Sequence, residues 1–177
     1  MTLEIPFNVD IYKRQTNLQL DLQWNKILRK SKNNLFFSIG LFLFGALAIY
    51  GKGNVGYVFI IFGIYGFIQF YKINATYQKS KKDFQKIVSD EIKGQIESNE
   101  NSVWEFNDEY FRYKDYKYDS KINWDAFKSY RIIEDNIFLD LNVGNQLSYV
   151  IGKDEIGEDS YRKIINLLED KIKRTSP

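Results

Sequence analysis

The chain has 177 residues, with 25 Lys or Arg against 23 Asp or Glu, a formal net charge of +2, and neither His nor Cys. This composition excludes a His-based triad, a thiol nucleophile, a Cys or His zinc site and a disulfide, leaving carboxylate, Lys, Tyr and Ser chemistry open. Residues 1–96 carry 13 basic against 6 acidic side chains and residues 97–177 carry 12 against 17, so the second half lacks the basic surface a nucleic-acid binder needs, and nucleic acid is rejected as a partner.

Residues 3–9 read as a short strand in which Leu3, Ile5 and Phe7 alternate, expected to join a sheet formed later in the chain. From residue 10 to 32, Ile11, Leu18, Leu22, Trp24, Ile27 and Leu28 suggest an amphipathic helix, so residues 1–33 form a strand and helix ahead of the first apolar run. More than thirty mostly polar residues precede that run. No cleavable signal peptide is expected from such a start.

Residues 34–72 contain two apolar stretches, 35–50 and 55–71, without Asp, Glu, Lys or Arg, joined by Gly51, Lys52, Gly53 and Asn54. As helices they are about 24 and 26 Å long, just under the roughly 30 Å of a hydrocarbon core, and they read as a transmembrane hairpin. Lys26, Arg29, Lys30 and Lys32 precede the first stretch, and Lys72, Lys79, Lys81, Lys82 and Lys86 follow the second; the loop has Lys52 alone. The positive-inside rule then makes the protein multi-pass with both termini cytoplasmic, and sets the Asn74 sequon on the side where it is not glycosylated. Gly40, Gly45, Gly56, Gly63 and Gly66 are places where helix backbones can approach, with packing inside one chain the expected use.

Residues 73–97 form a juxtamembrane helix, because Phe84, Ile87, Val88, Glu91, Ile92, Gln95 and Ile96 recur at helical spacing. Its apolar stripe can cover the soluble domain, pair with another copy or lie on the membrane; packing within the chain is the default. Over residues 98–177 the period becomes that of strands. Trp104 and Phe106, then Phe111 and Tyr113, make a hairpin about a turn at 107–109. A polar break at 115–121 leads to Ile122 and Trp124, and strands follow at 127–133, at Ile137, Leu139 and Leu141, and at Leu147, Tyr149 and Ile151, with turns at 134–136 and 142–145. The result is an antiparallel meander. A last helix carries Tyr161, Ile164, Ile165, Leu168 and Ile172, opened by Glu158 and Asp159 and closed by Lys171, Lys173 and Arg174. The fold class is an α+β membrane protein: a two-helix hairpin plus an antiparallel sheet covered by a C-terminal helix.

In their order, the segments Trp104-Glu105-Phe106, Ile122-Asn123-Trp124-Asp125-Ala126-Phe127, Ile137-Phe138-Leu139 and Tyr149-Val150-Ile151-Gly152-Lys153, together with the hairpin, resemble the YcxB-like membrane proteins. Gly152 stands where that pattern has Pro. The resemblance covers nearly the whole chain and implies a bacterial inner (plasma) membrane protein whose C-terminal domain is pleckstrin-homology-like (PH-like). It supplies no catalytic residues.

Four acidic pairs, Asp108 with Glu109, Glu134 with Asp135, Asp154 with Glu155 and Glu158 with Asp159, fall at expected turns or a helix start and read as solvated. Arg112, Lys114, Tyr116, Lys117 and Lys121 form a candidate interaction surface, basic residues interleaved with the aromatics Tyr110, Phe111, Tyr113 and Tyr118. Trp124 reads as a core anchor. No catalytic residue, cofactor, metal ligand or small-molecule substrate is inferred, and the chain is not read as an enzyme. Three classes follow: a membrane-anchored module binding a protein, a peptide or another copy; lipid-headgroup sensing by the PH-like domain; and a membrane enzyme or small transport component, which two spans free of ionisable residues do not favour.

Overall fold

In the computed structural model, which describes residues 1–142 and 148–175, the first strand is shorter than expected and the first helix longer. Strand β1 is Thr2–Ile5 and helix α1 is Val9–Tyr50. Pro6, without an N–H, ends the strand. Asn8 then caps the helix, its Oδ1 accepting the N–H groups of Asp10 at 3.0 Å and Ile11 at 3.1 Å. No Pro or Gly intervenes before Gly40, so the expected amphipathic helix and first apolar stretch fuse. The turn brings Lys52 to φ 63°, and helix α2 runs from Gly56 to Ser98 without a break.

The chain divides into two units, Met1–Leu18 with Val88–Pro177, and Gln19–Ile87. The second is an antiparallel helix pair. Its seam is set by glycine: a Cβ on Gly45 would lie 2.7 Å from the Gly56 carbonyl oxygen, one on Gly63 2.9 Å from Phe42 Cβ, and one on Gly66 would collide with Ser38. Gly40 meets nothing within 4 Å and lies outside this seam. Phe44 packs on Phe59 and Trp24 on Tyr77, with ring centroids 5.0 and 5.4 Å apart. Ser38, Asn74 and Thr76 turn their side chains back to carbonyls of their own helix. The outward side is apolar and open: Phe36, Phe37 and Leu47 are 69–70% exposed.

The first unit holds strands β2 Ser102–Phe106, β3 Tyr110–Lys114, β4 Asp119–Asn123, β5 Phe127–Ile133, β6 Asn136–Leu141 and β7 Ser148–Gly152, then helix α3 Lys153–Lys171. Among the described residues the strands pair antiparallel, but they form two sheets, β1-β2-β3-β4 and β5-β6-β7, where a single sheet was expected. The expected polar break at 115–121 shrinks to a turn at 115–118, in which Asp115 Oδ1 accepts the N–H groups of Lys117 and Tyr118. Asp119, Ser120 and Lys121 belong to β4, polar because it is the outer strand of its sheet. A short 3-10 turn, Trp124–Ala126, carries the chain between sheets, and Asn136 opens β6 instead of closing a turn. Beyond Asn142, the expected turn at 142–145 and the facing of Leu147 lie outside the described residues.

Pleat alternation turns Leu3, Ile5, Trp104, Phe106, Phe111, Tyr113 and Ile122 to one face of the first sheet. They join Phe127, Tyr130, Ile137, Leu139 and Ile151 of the second sheet and Tyr161, Ile164 and Leu168 of α3 in one core, where Phe106, Phe111, Ile137 and Leu168 are fully buried. Such burial stabilises by about 2 kcal/mol per large side chain relative to exposure. Trp124, 8% exposed, is anchored by its Nε1–H donating to the Asn107 carbonyl at 2.9 Å. Within α3 Gly157 has φ 75° and ψ 165°, so the regular helix opens at Glu158 after a single helical turn over 153–156. After α3 the backbone returns to β5, where Tyr130 N–H donates to Lys173 and Thr175 N–H to Tyr130.

Candidate functional site

The alternation that buries Phe111 and Tyr113 sets Arg112 and Lys114 on the outer face of the first sheet, with Lys121 and Asp119 opposite them on β4 and Glu105 opposite Arg112 on β2. Arg112 is held there. Its Nε and Nη2 donate to the two Asp119 carboxylate oxygens at 2.8 and 2.7 Å, and Glu105 lies 3.8 Å away. The guanidinium draws the Asp119 carboxyl below its ordinary range. Tyr110 donates its hydroxyl to Glu105 at 2.8 Å, a bond that raises the phenol's pKa, while the Lys121 ammonium sits 3.6 Å from the Tyr110 ring centroid. Lys114 is exposed and has no ion pair among the described residues.

Tyr116 and Lys117, in the turn between β3 and β4, reach back to α2. The Tyr116 hydroxyl donates to one Glu91 oxygen at 2.9 Å and the Lys117 ammonium to the other at 2.5 Å. The Lys117 bond, with that of Tyr116, holds Glu91 below the usual carboxylate range, and Lys117 itself is raised, chiefly by its bond to Glu91. Gly94 makes room for this contact, since a Cβ there would run into the Tyr116 ring. Nearby, burial and then the Asp115 carboxylate push the Tyr113 phenol up, and its hydroxyl donates to Asp115 at 2.9 Å. The five candidate residues are therefore not brought together as one free cationic surface. Three lie on the sheet in a lattice where Glu105 and Asp119 balance Arg112. Two are folded against α2.

A second arrangement is a polar cleft of about 190 Å³ between Arg14 of α1, the Glu134-Asp135 turn, Asn136 and the β7–α3 junction. Glu134 and Asp135 have φ of 49° and 59°, left-handed values that a two-residue hairpin turn demands and that favour Asn and Gly. Asn136 steadies the turn by donating to the Glu134 carbonyl at 2.7 Å. Beneath the cleft Gln15 donates its amide to Glu155 at 2.5 Å and to Asn136 at 3.3 Å, and the Gly152 N–H donates to the same Glu155 carboxylate at 2.7 Å. Burial raises the Glu155 pKa, opposed by those two bonds. Asp154 is 2.6 Å from Arg14, and Glu158 pairs with Lys153 and Arg162. The acidic pairs read as solvated turns are thus partly engaged: Asp154, Glu155 and Glu158 have partners, as does Asp108, 3.3 Å from Lys171, and Glu155 is half-buried. Among the described residues no three Asp or Glu gather as a metal ion requires.

The sequence signalled one of these contacts and hid the others. Glu91 interrupts an apolar stripe, and a charge in such a place needs a partner. Gln15 with Glu155, 140 residues apart, left no local sign, nor did the cross-strand pair Arg131 and Asp140, whose Nε–Oδ2 distance is 2.6 Å. Comparison with protein-family models, with curated proteins and with solved structures finds no match to this chain.

Proposed function

We propose that this protein is a membrane-anchored cytoplasmic interaction module: residues 34–72 span a bilayer, and the β unit binds a protein, a peptide or another copy. The observation that carries the anchor is the outer face of the helix pair. Both helices are long and apolar enough to cross a membrane, and only 11% of each apolar window is buried inside the structure. A soluble protein of this size rarely exposes such a surface, and a core helix would have buried it. The charges orient the span, with the loop outside and both termini cytoplasmic.

Among the described residues, seven antiparallel strands in sheets of four and three, closed by a C-terminal helix, support the reading of a PH-like β unit; the YcxB-like relationship, and with it a bacterial inner membrane, rests on the order of these elements and the hairpin. Headgroup sensing by the sheet is the weaker reading, because Arg112 and Lys117 already hold carboxylates. The test uses single cysteines in a chain that has none. Cysteine at Asn54 is expected to react with a membrane-impermeant maleimide added to intact cells, and cysteine at Asn101 only after lysis. Recovery of the intact protein as a detergent-free soluble monomer refutes the anchor. Photo-crosslinking from Lys114 and Lys121 in cells is expected to capture a discrete partner or a second copy; capture of lipid alone points to the headgroup reading.

A further inference from the structure

We infer that the helix pair carries a binding collar for anionic phospholipid headgroups, and that lipid charge is read there and not on the sheet. This rests on the membrane-anchor reading and adds a lipid class and a location to it. The antiparallel seam, from Gly45 with Gly56 to Ser38 with Gly66 and on to Trp24 with Tyr77, brings residues 26–32 of α1 to the same end of the apolar band as Lys72 and the turns that follow it. Four basic residues lie on α1 over 26–32 and five on α2 over 72–86; at the other end of the band there is Lys52 alone. Eight of the nine are exposed, and none is in an ion pair among the described residues. Asp83 is the one acid within those two stretches.

Free cations in such number are the opposite of the outer sheet face, where Arg112 is committed to Asp119. Distance decides which matter most. At 1.5 Å per residue, Lys32 and Lys30 begin about 5 and 8 Å from Leu35 and Lys72 about 2 Å from Tyr71, within the roughly 8 Å over which charge is felt at physiological salt, with Arg29 just beyond at about 9 Å. The farther lysines of α2, out to Lys86 at about 22 Å, contribute less. Because the apolar stretches are slightly shorter than a hydrocarbon core, the near cations are drawn into the headgroup layer. Anionic headgroups beside them gain a favourable contact that zwitterionic ones lack.

The test reconstitutes the full chain in phosphatidylcholine vesicles with trace spin-labelled phosphatidylglycerol or phosphatidylcholine, and reads the motionally restricted fraction of each label by electron paramagnetic resonance. Both labels should show a restricted fraction, with phosphatidylglycerol preferred about threefold or more at low salt and the preference fading in concentrated salt. Replacing Arg29, Lys30, Lys32 and Lys72 by Gln should remove most of the preference and keep the restricted fraction; R112Q with K117Q and K121Q should change neither. Equal partitioning of the labels by the native chain, or a preference indifferent to salt or to the collar substitutions, overturns the collar while leaving the anchor standing. Absence of a restricted fraction for both labels overturns the anchor and the collar with it.

Discussion

Phenylalanine is used in opposite ways in the two units. In the β unit Phe106, Phe111 and Phe138 are 0% exposed, whereas on the helix pair Phe36 and Phe37 are 70% and 69% exposed. Composition does not separate these uses; period does. Alternation at two residues gives a strand one buried face, so Phe111 meets Trp104, Phe106, Trp124, Phe127 and Tyr149. An unbroken apolar run gives a helix no polar side to turn to water, and only its glycine seam is filled from within. One unit is built to exclude water by itself. The other leaves most of its apolar surface open.

The largest test of that contrast is Phe111→Ala, expected to destabilise the β unit by about 3–5 kcal/mol, against Phe37→Ala within about 0.5 kcal/mol. Denaturant titration of the detergent-solubilised chain, followed by near-UV circular dichroism, reads both; equal costs would break the distinction. In the helix pair the sensitive positions should be the small ones. Gly45→Val, whose Cβ has no room beside Gly56, is expected to cost about 2 kcal/mol or more of helix-pair stability. Gly40→Ala, with open space around it, should gain about 0.5–1 kcal/mol through helix propensity. Far-UV thermal unfolding in detergent ranks the two.

Polar contacts sharpen the contrast at smaller scale. Asp140 accepts two bonds from Arg131 and one from Ser148 on the second sheet, so Asp140→Ala is expected to cost about 2 kcal/mol in the same titration. The smallest effect concerns Glu155. Its pKa in the folded protein is raised by burial, so the native state holds that proton more tightly than the unfolded chain. Stability from this group is therefore full below the unfolded carboxylate range and declines as pH rises through that range to the raised value. Glu155→Gln should remove that slope from a plot of unfolding midpoint against pH; an unchanged slope assigns it elsewhere.

Much of this division was legible in the sequence because periodicity is local. The Trp104–Tyr113 alternation and the Tyr161–Leu168 stripe each announce themselves within a dozen residues, and the hairpin in two unbroken apolar runs. The fourth strand was obscured because Asp119 and Lys121 face water on an outer strand and, with Ser120 between them, resemble a loop. The second sheet was obscured because only a three-residue turn at Trp124 separates it from the first. At the candidate surface, the basic and aromatic residues could be named in advance, but not their partners. Whether Arg112 is free or held depends on Asp119 across a strand pair, and Lys117 on a helix 26 residues upstream.

The pairing of β1 with β2 joins Ile5 to Ser102 across both long helices. During synthesis the first strand therefore leaves the ribosome well before its partner exists, and the sheet cannot close until the apolar hairpin has been made. Contacts this distant in sequence form slowly. Meanwhile β1 is an unpaired edge, open to pairing with another chain. Until β1 pairs, the edge of β2, with Trp104 on it, is likewise uncovered.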